Sequence, residues 1–245
     1  MRDFSLEVKN RVSFIQSMLL AANADGIVYG NSGGKDSALV GILCKMACEN
    51  TAGIIMPCGP KRNYTEDKID AEKIALQYDI SVRVIDLYSV KKELLASCDG
   101  KIKFNSAALS NIAPRLRMAT LYSIAAAENR LVAGTGNRSE GHMGYFTKWG
   151  DGAFDFNPIA DLTVTEIYDF LRYLNAPDFI IEKAPSAGLF DGQTDETEMG
   201  ISYAQIDKFL ITGTAQEHEK AIIEKFHNSS SHKRKMPFVY TAQKN

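Results

Sequence analysis

The chain has 245 residues, of which 45% are hydrophobic and 24% are charged, and its formal net charge is -2. This length suits one large α/β domain or two small ones, and a single domain of this size needs no disulfide or structural metal. The charge gives no reason to expect a nucleic-acid partner. Because we find no signal peptide, no apolar run of about 18 residues and no metal-ligand spacing among the cysteines, we expect a reduced, cytoplasmic protein without membrane contacts.

The first half of the chain alternates short apolar strands with helices, after an amphipathic helix at the N-terminus. In chain order we predict strand 27–29, helix 36–50, strand 53–56, helix 65–78, strand 82–85, helix 113–129 and strand 130–133. Such alternation indicates βαβ units. The predicted fold class is therefore α/β, a Rossmann-like open parallel sheet flanked by helices, whose strand carboxyl ends share one ligand-binding edge.

The helix predicted over 113–129 has an apolar face that admits two interpretations. Met118, Leu121, Tyr122 and Ala125 recur at helical spacing. This pattern is typical of a core face, and the alternative is a helix buried in a dimer interface.

The second half of the chain is less regular. Residues 134–162 show no convincing periodicity, but their aromatic content argues against disorder and their length indicates a functional segment. Residues 185–200 are a second irregular segment. Capping boxes predict three helix starts, at Thr163/Glu166, Ser202/Gln205 and Thr214/Glu217. We predict one domain over 1–245, with a flexible basic C-terminal tail from about residue 228.

The strongest chemical signal lies between the first strand and the helix that follows it. This segment consists of Gly30, Asn31, Ser32, Gly33, Gly34, Lys35, Asp36 and Ser37. Adjacent glycines let the backbone approach a ligand closely, and successive N–H groups at a helix N-terminus bind phosphate. It is not a Walker loop, because too few residues separate its glycines and an aspartate follows the lysine. The alternative is an ordinary turn in which Asp36 caps the helix.

An aspartate in a phosphate loop predicts a metal ion. Two like charges 4 Å apart repel by about 4 kcal/mol at an effective dielectric near 20, and Mg²⁺, which carboxylates bind, reverses that sign. Asp36 therefore predicts Mg²⁺ and a second carboxylate nearby. Glu140 is the candidate, because residues 134–140 follow the fourth strand and reach the same sheet edge. The alternative is that Glu140 is a solvated loop acid.

Several segments together resemble the NAD synthetase family. The first of them alone indicates only a superfamily, that of the SGGxDS pyrophosphatase-loop enzymes, which is also called adenine nucleotide alpha hydrolase-like. In chain order they are 32–37, 111–118, 134–140, 144–152 with Asp155 and Pro158, 185–189 with Asp195 and Glu196, and 232–234. The resemblance covers about residues 25 to 235. The lysine-bearing loop that contains Gly150, Asp151 and Gly152 narrows it to this family.

The resemblance implies an enzyme that converts deamido-NAD to NAD with ATP as co-substrate. The nicotinate carboxylate would attack the α-phosphate of ATP, which gives an acyl-adenylate and pyrophosphate, and ammonia would then displace AMP. A homodimer is implied as well. Because the chain begins almost at once with the synthetase-like helix, we expect no glutamine-hydrolysing domain and predict ammonia as the nitrogen donor.

Individual roles follow from the resemblance residue by residue. Residues 30–37, Thr135 and Ser186 would bind ATP, and Asp36 and Glu140 would hold Mg²⁺. Asp36 and Lys148 are the predicted catalytic residues. The predicted contacts to deamido-NAD are Arg115, Lys148, Asp155, His232 and Lys233. Solvated surface charges remain the alternative for Arg115, Lys148 and the tail.

One position departs from the family pattern. Val164 stands where the family often has a lysine that contacts an ATP phosphate, and valine can neither donate a hydrogen bond nor neutralise charge. Either Lys35 or another cation takes over, or ATP binds more weakly. The competing functions are another SGGxDS ATP pyrophosphatase, such as a tRNA thiolase or a GMP synthetase, and a non-catalytic nucleotide sensor.

Overall fold

A computed structural model describes residues 2–59, 61–183 and 194–241. Four parallel strands form one sheet in the order β3-β2-β1-β4. The strands are β1 Gly26–Gly30, β2 Thr51–Ile55, β3 Ser81–Val84 and β4 Arg130–Ala133. The predicted open parallel α/β sheet is confirmed, and every predicted strand is present close to its expected bounds.

Helices cover both faces of the sheet. In the first half they are α1 Phe4–Ala22, α2 Lys35–Ala47, α3 Glu66–Gln77, α4 Tyr88–Cys98, α5 Ser106–Ser110 and α6 Ile112–Ala127. The pattern predicted four of these but missed α4 and α5. Neither α4 nor α5 has a buried residue among those that the structure describes, and α5 is too short to show a repeat.

The second half is helical. Its elements are α7 Arg138–Met143, α8 Val164–Tyr173, α9 Asp178–Ile181, α10 Asp195–Met199, α11 Tyr203–Thr212 and α12 Glu217–Ser229. Helix α7 lies inside 134–162, where the sequence shows no convincing periodicity. It was not predicted because a helix of 6 residues is too short to show a repeat.

Two of the three predicted capping boxes are confirmed, at the N-termini of α8 and α11. The prediction at Thr214/Glu217 is wrong, because α12 is capped by Gln216 and Glu219. The Thr214 N–H donates to the Thr212 hydroxyl at 3.2 Å, and Gly213 has a φ of +72°. Thr214 therefore belongs to the preceding turn.

The core alternates across β1, as a strand buried on both faces requires. Ile27 and Tyr29 pack with α2 and α8, whereas Val28 packs with β2, β4 and α6. The Tyr29 ring fills the space left by two glycines, since a Cβ at Gly41 or Gly53 would lie 2.3 or 3.0 Å from its hydroxyl oxygen. That hydroxyl is buried and has no hydrogen-bond partner among the described residues.

The apolar face of α6 is used mainly in the core, as the first of the two interpretations predicted. Ala125 is buried, and Leu121 and Tyr122 pack against the cluster around Val28. Across the described ranges, none of the helices is long and apolar enough to span a membrane.

Candidate active site

The carboxyl ends of β1, β2 and β4 open into a cavity of about 860 Å³. This volume falls in the range of roughly 300–1,000 Å³ that is typical of ligand sites, at the sheet edge where α/β folds bind ligands. The structure brings many predicted site residues together there. Those that line the cavity are Gly30, Asn31, Ser32, Gly34, Lys35, Asp36, Ser37, Thr135, Glu140 and Lys233.

The phosphate loop is shaped by close backbone contacts. Gly33 has a φ of +70°, and a Cβ there would lie 2.2 Å from the Asp67 carbonyl oxygen. The buried Asn31 amide donates to the Ala71 carbonyl at 3.0 Å and accepts from the Gly33 N–H at 3.3 Å. Asn31 therefore holds the loop against α3, although the sequence predicted it as an ATP contact. Glycine at position 33 is required by both the conformation and the packing.

The N-terminus of α2 faces the cavity without a side-chain cap. Gly34 is the N-cap residue and makes no side-chain capping bond, so the alternative in which Asp36 caps this helix is wrong. The Ser32 and Ser37 hydroxyls lie 3.1 Å apart beside the loop. The first N–H groups of α2 and these hydroxyls together form an array of donors suited to phosphate oxygens.

Asp36 and Glu140 meet across Asn137. The Asn137 amide donates to Asp36 Oδ1 at 3.1 Å, and the Asn137 backbone N–H donates to Glu140 Oε2 at 3.0 Å. Burial raises the pKa of Glu140 well above its usual range, and the Asp36 carboxylate raises it further, while Lys35 opposes the shift. A third acid, Asp195, is buried, lines the cavity and also raises the pKa of Glu140.

These acids create a site that a cation would stabilise. Within the described ranges, no group of three or more His, Cys, Asp or Glu side chains is arranged to hold a metal. Mg²⁺, however, is usually held by one or two carboxylates together with substrate phosphates and water. The hard oxygen donors of Asp36 and Glu140, next to a phosphate loop, fit that chemistry.

Lys35 supplies a fixed positive charge beside this pair. Its side chain is 6% exposed, and its ammonium donates to Asp36 Oδ2 at 2.7 Å. Burial alone would lower its pKa, but Asp36 and Glu140 outweigh that effect and the pKa is raised. The ammonium also lies 5.9 and 5.7 Å from the ring centres of Tyr168 and Tyr203. It is therefore held in place as a cation.

Val164, the departure from the family pattern, is 3% exposed in an apolar cluster that also includes Tyr203. The Lys35 ammonium lies 5.7 Å from the ring centre of that tyrosine. A second cation, Lys183, was not predicted. It donates to the Gly33 carbonyl at 3.0 Å and pairs with Asp67 and Asp70. Only its position just before the segment 185–189 could have drawn attention to it.

Three predicted substrate contacts lie outside the cavity lining and adjoin one another at its rim. Arg115 Nη2 donates to the Lys148 carbonyl at 3.4 Å, and Lys148 Nζ donates to the His232 carbonyl at 2.6 Å. Arg115 and His232 are exposed. Residues 144–152 therefore connect α6 to the C-terminal tail through contacts with backbone carbonyls.

Lys233 is the basic tail residue that lines the cavity, where Ser229 and Ser230 also form part of the wall. Its ammonium donates to the Gly144 and Phe146 carbonyls at 2.9 and 2.7 Å, and burial lowers its pKa. Gly144 allows this docking, because a Cβ there would lie 2.1 Å from the Ser230 side chain. The tail is docked as far as Lys235, because Arg234 donates to the His142 carbonyl at 3.3 Å and the Lys235 carbonyl accepts from Lys148 at 3.4 Å. Its flexibility stays a prediction.

The two remaining predictions differ in outcome. Asp155 is exposed and does not line the cavity; it accepts from the Val132 N–H at 2.7 Å and from the Tyr122 hydroxyl at 3.2 Å. Ser186 lies outside the described residues. The assignment of both to substrate binding stays a prediction.

Comparison with known proteins gives consistent matches. The sequence model of the family described as NAD synthase matches residues 7–237. A relative from Carboxydothermus hydrogenoformans, named NH(3)-dependent NAD(+) synthetase, is 46% identical over 231 residues, which cover 93% of this chain and 94% of the relative. A relative of the same name from Archaeoglobus fulgidus is 43% identical, with 97% of each chain covered.

Solved structures show the same fold over nearly the whole chain. The NMN synthetase of Francisella tularensis superposes with a TM-score of 0.93 at 34% identity, covering 99% of this chain and 100% of that one. The NH3-dependent NAD synthetase of Campylobacter jejuni superposes with a TM-score of 0.81 at 30% identity, covering 98% and 100%. The chain therefore belongs to the NAD synthase family.

Proposed function

We propose that this chain is an ammonia-dependent NAD synthetase, a ligase that amidates deamido-NAD with ATP and releases AMP and pyrophosphate. The observation that carries the proposal is the uncapped phosphate loop facing Asp36 and Glu140 in one cavity of a member of this family. The names of the relatives support the same activity. The competing SGGxDS enzymes lack such support.

ATP is proposed to bind with its phosphates at the N-terminus of α2. The loop N–H groups and the Ser32 and Ser37 hydroxyls would donate to the phosphate oxygens, with Thr135 and Ser186 as further ATP contacts. Asp36 and Glu140 would hold Mg²⁺, which when bound neutralises phosphate charge and stabilises the leaving pyrophosphate. Residues 30–37 thus supply orientation and charge, on which phosphoryl transfer largely depends.

The reaction has two displacements. A carboxylate oxygen of the pyridine substrate attacks the α-phosphorus of ATP, and the bond from that phosphorus to the bridging oxygen of pyrophosphate breaks. Ammonia then attacks the acyl carbon, AMP leaves with the bonding electrons, and the nitrogen loses a proton. We assign Lys148 a catalytic role beside Asp36, as a cation near the developing charge.

The rim residues are proposed to bind the substrate's own phosphates. Arg115, Lys148 and Lys233 form a cationic rim beside His232, and their contacts are mostly to neutral backbone carbonyls. An anionic substrate can replace such neutral acceptors with stronger charge-assisted hydrogen bonds. The tail would lie over the bound substrate and exclude water from the adenylate.

The nitrogen source is proposed to be free ammonia. Purified protein should then form the amide with ammonium and not with glutamine, and its rate should rise with pH as NH3 becomes more abundant. Turnover on ammonia-free glutamine at the ammonium rate would refute this part of the proposal.

A second candidate differs only in substrate. The TM-score of 0.93 with an enzyme named NMN synthetase favours amidation of the mononucleotide acid by the same chemistry. The position of Asp155 outside the cavity lining also favours this candidate. A dinucleotide in contact with Asp155 would have to extend beyond the cavity, whereas a mononucleotide could bind within the cavity without contacting it.

One assay separates the candidates. AMP and amide formation should be measured with ATP, Mg²⁺ and ammonium, using deamido-NAD and nicotinate mononucleotide in parallel. A higher kcat/KM for deamido-NAD supports the first proposal, and a higher value for the mononucleotide supports the second. AMP formation with neither would leave a nucleotide sensor as the function.

We also propose a homodimer in the cytoplasm. Helix α4 buries no residue in the single chain, and Val90 and Leu94 are 48% and 42% exposed on it. Ile102 and Leu109, before and within α5, are exposed apolar residues as well. Light scattering of the protein and of a Val90→Glu, Leu94→Lys variant tests the dimer, since two charges at its interface would yield monomers. The unpaired cysteines suit a reducing compartment.

A further inference from the structure

Arg117 is a cavity-lining arginine to which the sequence assigned no role. It extends from α6 into the cavity, where Met56 and Asn63 also form part of the wall. Its Nε donates to the Met56 carbonyl at 3.1 Å, and its Nη2 donates to the Asn63 side-chain oxygen at 3.1 Å. Both acceptors are neutral, so these bonds orient the guanidinium without cancelling its charge.

Arg117 differs from the two lysines beside the phosphate loop, because its charge is not paired with a carboxylate within the described ranges. Lys35 pairs with Asp36, and Lys183 pairs with two aspartates of α3. Arg117 has no carboxylate partner among the described residues, and its Nη1 has no hydrogen bond there. Burial lowers its pKa, and Cys58 and more distant acids compensate only in part. A desolvated charge without a counter-ion is costly, so this site suits an anion.

A chain of hydrogen bonds fixes the guanidinium relative to the phosphate loop. Asn63, which accepts from Arg117, donates to Asp67 Oδ2 at 3.1 Å. Asp67 Oδ1 lies 2.9 Å from Lys183 Nζ, which donates to the Gly33 carbonyl at 3.0 Å. Buried and half-buried partners therefore hold the Arg117 guanidinium at a fixed position relative to the phosphate loop. Arg115, two residues earlier, lies instead at the exposed rim.

We propose that Arg117 binds an oxyanion of the reacting centre, either the α-phosphate of ATP or the carboxylate of the pyridine acid. The proposal rests on the proposed function, which brings these two anions together in this cavity. A guanidinium with unused donors suits both, because it binds phosphate and carboxylate with paired hydrogen bonds. A cation fixed before binding would also stabilise the charge that develops as the carboxylate attacks phosphorus.

The test compares Arg117→Gln, Arg117→Lys and the wild-type protein, with Arg172→Gln as the matched surface control. Arg172 is exposed on α8 and, among the described residues, forms its ion pair with Asp169. Calorimetry gives the Kd for ATP, deamido-NAD and nicotinate mononucleotide, kinetics gives kcat and KM, and thermal unfolding reports stability.

We expect Arg117→Gln to lower kcat/KM by roughly 100-fold or more. Arg117→Lys should lose roughly tenfold, since lysine keeps the charge but not the planar pair of donors. The control should match the wild type. A weaker Kd for ATP identifies the phosphate as the partner, and a weaker Kd for the pyridine acid identifies the carboxylate.

Two results would overturn the proposal. One is unchanged affinity for all three ligands in Arg117→Gln, or in Arg117→Lys if the glutamine variant does not fold. The other is equal loss in the lysine and glutamine variants, which would show that the charge has no role. Because binding is measured without turnover, failure of the wild-type protein to form an amide would count against the proposed function and not against Arg117.

Discussion

The phosphate loop and the rim of the cavity are both cationic or donor-rich, but they are built differently. The loop is held by contacts to buried or backbone groups, such as Gly33 against Asp67 and Asn31 against Ala71. The rim is held by ammonium groups of Lys148 and Lys233 that donate to backbone carbonyls. The loop is therefore formed before a ligand arrives, whereas the rim makes bonds that an anion can displace. Substitutions should affect the two regions differently.

Asp36→Asn should have the largest effect on activity, because it removes a carboxylate from the phosphate loop, which is formed before a ligand binds. We expect turnover to fall by roughly 100- to 1,000-fold, the scale of losing one electrostatic group at a reacting centre, while thermal stability stays close to that of the wild type. Steady-state kinetics across a range of Mg²⁺ concentrations checks this. Asp169→Asn on the exposed face of α8 is the control. Near-normal activity at limiting Mg²⁺ would remove Asp36 from the proposed metal site.

Gly33→Ala tests whether the loop is formed by packing. The change adds a Cβ that would lie 2.2 Å from a backbone oxygen at a positive φ. We expect a loss of about 3 kcal/mol in the free energy of unfolding, or a fall of roughly 6–12 °C in Tm. Gly213→Ala is the control, since its φ of +72° is similar but no atom lies within 4 Å of the added Cβ. Equal losses in both variants would show that conformation alone matters.

Deletion of the chain after Ser231 tests the rim. It removes Lys233 and the carbonyl that accepts from Lys148. We expect the affinity for the pyridine substrate to fall by about tenfold, a modest charge-assisted contribution, with less effect on ATP. The ratio of AMP to amide product should rise, because water reaches the adenylate. Chromatography of both products measures this, and an unchanged ratio with unchanged affinity would reduce the tail to a solvated appendage.

The smallest expected effect is on the free energy of unfolding at acid pH, through the stacked pair His142 and His227. His142 stacks on His227 at 4.2 Å, and burial, followed by His227 and Arg234, lowers the pKa of His142 from 6.5 to about 4. The unfolded chain therefore binds a proton more readily between these values. The free energy of unfolding should fall as pH drops from 6.5 towards 4, by about 1 kcal/mol after solvent screening.

Urea unfolding at several pH values checks this prediction. His142→Gln should flatten that part of the stability profile, whereas His218→Gln, on α12 and away from the stacked pair, should not. A profile as steep in His142→Gln as in the wild type would assign the acid sensitivity to other groups.

The sequence predicted the features that depend on neighbouring residues and missed those that depend on contacts between distant ones. Strand–helix alternation and the loop from Gly30 to Ser37 depend on neighbouring residues, so they were predictable. Glu140 was placed correctly at the cavity because β4 ends just before it. Lys183 and Arg117 were not found, because their roles come from contacts with distant residues. Helix α4 was missed, and none of its residues is buried in the part of the chain that the structure describes.

The buried hydroxyl of Tyr29 marks a position where a single substitution should stabilise the protein for engineering. Tyr29→Phe would keep the ring over Gly41 and Gly53 and remove a polar atom that has no partner among the described residues. Deleting an unsatisfied buried group recovers its desolvation cost, which is roughly 1 kcal/mol or more. A phenylalanine background would therefore tolerate destabilising changes in the adjoining loop that the natural chain tolerates less well. Variant libraries aimed at a new acid substrate should start from that background.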